Sequence, residues 1–174
     1  MAEQHTAITE TQAELLRNAK LFFVASADPA MAGGPHGIGP VNVSPKGGVP
    51  LLLVSPTRVA YLDYPGSGNE TVRHAQAGGP MTLMACSFEP TDAAIVRLYG
   101  RGSAQPMADS PYAETLLAAD RSGPTLAIRQ VVVLDVESTM TSCGYGVPVM
   151  EFVRHRAAAD RGRRYKDQGG RAKP

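Results

Sequence analysis

The feature that most constrains the fold is a series of short β-type runs, each separated from the next by residues that favour turns. The runs are apolar, β-branched or aromatic, and they are too short to form independent helices. Glycine, proline and serine are frequent between them, as in the sequence PKGGVP. Strands do not alternate with long helices, which argues against a parallel α/β sheet. The runs that we interpret as strands are 21–28, 41–44, 51–55, 59–64, 81–88, 94–105 and 127–142.

These six or seven strands predict a mainly β domain in which an antiparallel sheet forms a closed or partly closed barrel. Two or three short helices are expected at the connections. Thr9 and Gln12 have the spacing of a capping box, which predicts a helix near the N-terminus. The segments 69–77 and 111–120 predict two more, and Asn69 is expected to cap the first of them.

The last organised segment, 147–159, is interpreted as a helix that buries Val149, Phe152 and Val153. We place an N-terminal helix and lead-in at 1–20, the barrel domain at 21–155 and a basic tail at 156–174. The tail has almost no large apolar side chains and is expected to be flexible. Its folding over an anionic ligand or a partner subunit stays open.

Charge and hydropathy exclude several classes of protein. The net charge of +1 gives no strong field to attract nucleic acid or anionic lipid. No apolar run approaches the roughly 18 residues of a membrane span, and the first residues lack the pattern of a secretory signal. We therefore expect a cytoplasmic protein that binds neither nucleic acid nor membranes.

Cysteine and histidine residues give little sign of metal or nucleophile chemistry. Cys86 and Cys143 lie far apart, and neither belongs to a cluster with metal-ligand spacing, so we expect no metal site. Cys143 precedes a flexible turn where a thiolate could react, although a cysteine more often acts as a small apolar side chain. His74 is expected on the exposed surface of the short helix that starts near residue 69.

Two segments carry possible ligand chemistry. The turn between residues 63 and 71, with the sequence DYPGSGNET, leads from a strand into a helix and offers backbone N–H groups and small residues for an anion. An ordinary cap and turn explains the same residues. In the strand VNVSPKG, alternation places Asn42, Ser44 and Lys46 on one face and Val41 and Val43 toward the core. Lys46 could pair with a phosphate, or it could lie in a solvent-exposed hairpin.

Together and in this order, these segments resemble the pyridoxamine 5'-phosphate oxidase-like family of FMN-binding split barrels. The segments that carry the resemblance are VNVSPKG, VAYLDYPGSGNETVRHAQAGG, MTLMACSF, IVRLYGRG and TSCGYGVP. They extend over roughly residues 20–155, and chance does not account for several unconnected matches in the same order.

The resemblance implies an FMN site. Lys46 would bind the phosphate together with the glycine-serine turn, strand residues 42–44 would lie along the flavin and its ribityl chain, and the strand around Leu62 would meet the ring edge. Members of the family usually form homodimers with FMN between the subunits, and we expect the same here. The implied cofactor-binding residues are Asn42, Val43, Ser44, Lys46, Leu62, Asp63, Ser67, Gly68, Asn69 and Thr71.

The chain also departs from the family's pattern. In the oxidase itself the strand that ends in lysine begins with arginine, and an Arg-Lys pair follows the serine of the turn. The matching positions here are Val41 and Gly68-Asn69, so positive charges are missing unless other arginines compensate. The candidates for compensation are Arg73, Arg97 and Arg101. The Arg-x-His substrate motif of the oxidase has no counterpart, which argues against oxidation of pyridoxamine phosphate.

The leading hypothesis is an FMN-dependent oxidoreductase that transfers electrons or hydride to an unidentified small molecule, with no catalytic protein residue assigned. One alternative is a non-catalytic protein on the same barrel that binds FMN, haem or a deazaflavin. A second alternative is a ligand-free structural or regulatory dimer.

Overall fold

The computed structural model describes residues 2–33, 39–64, 69–120 and 130–156. The predicted flexible tail lies almost entirely outside these ranges. The elements in chain order are β1 (Glu3–His5), α1 (Glu10–Asn18), β2 (Leu21–Ala27), β3 (Val41–Gly47), β4 (Leu51–Ser55), β5 (Arg58–Asp63), α2 (Glu70–Gln76), β6 (Pro80–Cys86), β7 (Ala94–Pro106), a 3-10 turn (Met107–Asp109), α3 (Ala113–Ala119) and β8 (Gln130–Cys143).

The strands form one antiparallel sheet in the order β3-β2-β6-β7-β8-β5-β4, and β1 pairs along β8. The prediction of a mainly β, antiparallel fold is confirmed. The described residues contain eight strands rather than six or seven, because Glu3–His5 adds a short strand that the sequence did not indicate. β3 and β4 end the sheet and do not pair with each other.

The side chains on one face of this sheet fill the interior of the barrel. Cross-strand partners place Phe22, Val24, Leu83 and Leu98 on that face, and Tyr61 lies edge-on to Phe22 with 5.5 Å between the ring centroids. All five side chains are almost fully buried. Each such burial stabilises the fold by roughly 1.5–3 kcal/mol. On the opposite face, α3 covers β5 and β8 through a second, smaller core.

Helix α1 is joined to the sheet by the residue that also caps it. The predicted capping box is confirmed: the Thr9 hydroxyl accepts from the Gln12 backbone N–H, and the Gln12 side chain accepts from the Thr9 N–H. Gln12 is buried, and its amide also donates to Thr141 and accepts from the Thr139 hydroxyl on β8. One side chain therefore fixes both the start of the helix and its position on the barrel.

Asn69 occupies the predicted N-cap position of α2, but the capping hydrogen bond expected from its side chain is absent. Asn69 adopts the left-handed conformation with φ 51°, and its side chain makes no capping hydrogen bond. Its amide oxygen instead accepts from Gln130 at 3.4 Å. The asparagine is used for its tolerance of positive φ rather than as a cap. Gly78 follows the helix at φ 75°, as the sequence predicted for the end of this helix.

The segment that follows β8 is not the helix that we predicted over 147–159. Its described part, 147–156, has no regular secondary structure, and Val149, Phe152 and Val153 are exposed. The Met150 N–H donates to the Phe88 carbonyl, which holds the chain across the end of β6 instead of in a helical turn. Val149, Phe152 and Val153 have the i, i+3, i+4 spacing of a helical stripe, so the local pattern favoured a helix that the contact with Phe88 replaces.

The helices in the described part of the chain, nine residues at most, lack the length and hydrophobicity of a membrane span.

We predict that Gly100→Ala destabilises the barrel by about 3 kcal/mol or more, the upper range for an overpacked core position. Gly100 lies at the register shift between β7 and β8, and a Cβ there would overlap the carbonyl oxygen of Asp135. Backbone cannot move aside as a flexible side chain can. Gly146→Ala is the control, because a Cβ there meets nothing within 4 Å. Equal chemical denaturation midpoints for the two variants would contradict the prediction.

Candidate functional site at the barrel seam

Strand β3 carries its polar side chains on the inside of the barrel. Asn42, Ser44 and Lys46 pair with Ser26, Val24 and Phe22 of β2, whose side chains face the interior. The valines of β3 point outward, with Val41 55% and Val43 62% exposed. The sequence predicted the alternation correctly, but the assignment of Val41 and Val43 to the core is wrong.

The polar side chains of β3 point inward, rather than the valines, because of what lies opposite the strand. We call the space between β3 on one side and β5 with the start of α2 on the other the seam. Among the described strands no backbone ladder crosses it, and polar side chains of β5 and α2 line its far side. Asn42 and Lys46 therefore find partners by pointing inward, which compensates their burial.

An ion pair spans the seam. Lys46 Nζ lies 3.0 Å from Asp63 Oδ1, and only 16% of the lysine side chain and 10% of the aspartate side chain are exposed. The ammonium also lies 5.6 Å from the centroid of the Tyr61 ring, within reach of a cation–π interaction. A second bond joins the two sides, since the Asn42 amide donates to the Thr71 hydroxyl at 3.2 Å. The structure thus brings Lys46 to Asp63, and Asn42 to Thr71.

Gln130 completes the polar cluster and was missed by sequence reasoning. Its amide donates to Asp63 Oδ2 at 2.9 Å and to Asn69 Oδ1 at 3.4 Å. Both oxygens of Asp63 are therefore engaged. Gln130 is paired with Asp63 in the register of β5 and β8, which no local pattern in the sequence reveals.

Two hydroxyl groups inside the barrel have no hydrogen-bond partner. Ser44 Oγ and the Tyr61 hydroxyl are both buried, and neither forms a hydrogen bond within the described residues. Burial, reinforced by the negative charge of Asp63, raises the pKa of Tyr61 well above its usual range, so the phenol stays protonated at neutral pH. Buried polar groups without partners are rare and costly, which makes these hydroxyls candidates for contact with a ligand.

Two of the other implied cofactor residues, Val43 and Leu62, do not join this cluster. Val43 lies on the outer face of β3, and Leu62 is buried in the second core, between the sheet and α3. Ser67 and Gly68 lie outside the described residues.

None of the arginines considered as substitutes for the missing charges contacts Lys46 or Asp63 in the bonds seen among the described residues. Arg97 donates to Ser142 at 2.8 Å, and Arg101 donates to the Gly78 carbonyl at 2.6 Å. Both alternate with residues that fill the interior, so they lie on the outside of the barrel. Arg73 donates to the Gly39 carbonyl at 3.0 Å and lies 3.8 Å from Asp28.

His74 is fully buried, which corrects the prediction of an exposed helix-surface histidine. Its Nδ1 lies 2.9 Å from the Ser26 hydroxyl, and its Nε2 contacts the Gly39 carbonyl. A carbonyl only accepts, so Nε2 carries the proton, and in the neutral ring Nδ1 accepts from Ser26. The side chain joins α2 to β2 and to the chain entering β3, and it has a structural role.

A large groove of about 1430 Å³ lies apart from the seam. It runs between α1, the ends of β3 and β6, and the segment 150–156, and it contains Pro45, Gly47 and Cys86. Burial raises the pKa of Cys86, and the nearby Arg97 opposes this only in part, so the thiol is a weak nucleophile at neutral pH. Cys143 is exposed, and both cysteines are free.

Among the described residues, no three His, Cys, Asp or Glu side chains converge in a way that could hold a metal ion.

One known protein is similar to this chain in sequence, and solved structures are similar to it in fold. The pyridoxamine 5'-phosphate oxidase family protein ustO of Aspergillus flavus is 39% identical over 137 residues, which cover 76% of this chain and 50% of the relative. The chain thus spans about half the length of the curated relative that it matches. No family model matches the sequence.

Two solved structures show the same fold. A candidate pyridoxamine 5'-phosphate oxidase of Lactobacillus delbrueckii is 24% identical, with a TM-score of 0.54 over 78% of this chain and 94% of that one. A single-residue variant of HupZ from Group A Streptococcus is 18% identical, with a TM-score of 0.56 over 78% and 99% of the two chains. Three findings agree: the segments first noted in the sequence, the antiparallel sheet with an unpaired seam, and the 39% identical relative. The chain therefore belongs to the pyridoxamine 5'-phosphate oxidase-like family of split β-barrels.

Proposed function

We propose that the chain is an FMN-dependent oxidoreductase that acts on a small molecule, with the flavin bound at the seam. The observation that carries the proposal is the polar inner face of β3, which meets Asp63 and Thr71 across a gap that no backbone hydrogen bonds close. Membership of the pyridoxamine 5'-phosphate oxidase-like family supports the choice of a flavin over other cofactors.

The side chains at the seam fit the polar groups of a flavin. Asn42 and Thr71 offer an amide and a hydroxyl, and the buried hydroxyl of Ser44 has no partner within the described protein. Such groups can bind ribityl hydroxyls or the polar edge of the ring. Lys46 lies on the same face of β3 as Asn42 and Ser44. The turn that contains Ser67 and Gly68 stays part of the proposed site by its resemblance to the family.

The flavin, when bound, supplies the electron or hydride transfer, so the chain needs to bind it, orient it and limit the access of water. No protein acid or base is assigned. Asn42 and Ser44 orient the ligand by hydrogen bonds, and the Tyr61 ring closes the interior beneath Lys46. Oxidation of pyridoxamine phosphate is not proposed, because the positive charges and the Arg-x-His motif of that enzyme have no counterpart here.

A non-catalytic binding protein is the second candidate, and one observation favours it. Lys46 and Asp63, which pair across the seam, neutralise each other, so neither is a free acid or base beside the proposed ligand. Flavin that binds but is reduced by neither NADH nor NADPH would support this candidate. A Soret band on titration with haem, without flavin binding, would support it with a different ligand.

We also propose a homodimer in which the outer face of β3 lies at the subunit interface, in a cytoplasmic protein. Val41 and Val43 are more than half exposed on a strand at the end of the sheet, and apolar side chains so placed favour association. Because β3 also bears the seam residues on its inner face, an interface here would lie directly beside the proposed flavin site.

We predict that Lys46→Ala weakens FMN binding by about tenfold or more, the effect of a like charge placed beside the phosphate. The variant leaves Asp63 without its cation, and the carboxylate then repels the phosphate. Lys20→Ala is the matched control, because Lys20 lies outside the seam, in the turn between α1 and β2. Quenching of flavin fluorescence gives the dissociation constants. FMN that binds wild type and Lys46→Ala equally would contradict the site, and FMN that binds neither would contradict the proposed function.

We predict that Val43→Lys converts the dimer to a monomer, because the substitution places a charge in a desolvated interface. Leu117→Lys is the control: Leu117 is 46% exposed on α3, away from β3. Sedimentation equilibrium of the two variants measures the effect. A dimer that persists unchanged in Val43→Lys would show that this face is not the interface.

A further inference from the structure

The charge of Lys46 is already compensated within the chain. Its ammonium lies 3.0 Å from Asp63 in a pair of which little is exposed. Gln130 binds the second oxygen of Asp63 at 2.9 Å, and Asn69 in turn binds Gln130. The carboxylate is therefore held in place from two sides, and it occupies the position beside Lys46 that an anionic ligand group would take.

The other basic side chains considered do not restore the charge. Arg97 and Arg101 lie on the outside of the barrel, and Arg73 is engaged with Gly39 and Asp28. Within the described ranges, the ion pair of the seam thus combines one cation, Lys46, with one anion, Asp63. The formal charge of this pair is zero.

We propose that Asp63 is a specificity-determining residue: it acts as an internal anion at Lys46 and makes flavin binding largely independent of the ligand's phosphate. The inference rests on the proposed function. It narrows the ligand class to flavins recognised by their ring and ribityl chain, so that riboflavin binds nearly as well as FMN.

The physical reason is competition for one cation. A phosphate that reaches Lys46 must either approach the Asp63 carboxylate, which has the same sign of charge, or displace it. Because both side chains are mostly buried, solvent and salt screen this repulsion only weakly. Displacement would leave a buried carboxylate without its cation, which is strongly unfavourable. Neither route penalises an uncharged hydroxyl.

The test compares FMN with riboflavin in the full-length protein, and the readout is the dissociation constant from flavin fluorescence. In wild type the two constants are expected to agree within about fivefold, less than one charge-assisted contact would give. In Asp63→Asn, FMN is expected to bind about ten- to a hundredfold more tightly, because Lys46 becomes free for the phosphate, while riboflavin changes little. Adding Lys46→Ala to Asp63→Asn should remove the gain.

Asp135→Asn is the matched control. It removes the same charge from an exposed carboxylate on β8 that pairs with Arg58, and it should change neither constant. Thermal unfolding monitors the fold of each variant, and the wild-type comparison of FMN with riboflavin decides the question even without a folded Asp63→Asn.

Two outcomes would overturn the inference and are distinguishable. A wild-type preference for FMN over riboflavin of about tenfold or more would overturn the role of Asp63 and leave the proposed function standing. Failure of wild type and Asp63→Asn to bind either flavin would overturn the proposed function, and this inference with it.

Discussion

The barrel depends on side chains to join two elements of its sheet that backbone hydrogen bonds leave apart. β3 and β4 end the sheet, and across the seam the position of β3 is set by Lys46 with Asp63 and by Asn42 with Thr71. A buried ion pair adds little net stability, since desolvation offsets most of the attraction. It is directional, however, and with Gln130 on the second oxygen the network is satisfied and defines one arrangement.

This arrangement explains why β3 directs its polar side chains into the barrel and its valines toward solvent, the reverse of the usual pattern. Alternation along VNVSPKG fixes that Asn42, Ser44 and Lys46 share a face, and the sequence predicted that much. Which face points inward depends on what lies across the seam, and those partners come from residues 63 and 71. A local apolar pattern favours the valines inside, whereas the polar lining opposite β3 stabilises the other choice.

Local signals predicted local structure well. Thr9 and Gln12 predicted the start of α1, β-branched runs predicted the strands of the sheet, and Gly78 predicted the end of α2. What failed depends on contacts between distant residues: the burial of His74 against Ser26, and the contact of Gln130 with Asp63. The segment 147–156 failed for a related reason, since its Met150 N–H binds the distant Phe88 carbonyl rather than a helical neighbour.

A motif residue and a free charge are different things, and the seam shows the difference. In the resemblance noted from the sequence, Lys46 stands where the family places a lysine at the end of a strand, and the structure shows that strand. The position does not make the positive charge of Lys46 available to a ligand, because Asp63 of the same chain pairs with the ammonium. Gln130 in turn holds Asp63 in place by a hydrogen bond. Ligand choice in such a site is set by the sum of charges that face the ligand. Two members of one family with the same lysine can therefore select differently charged ligands. The choice depends on whether an acidic residue at the end of the neighbouring strand pairs with that lysine.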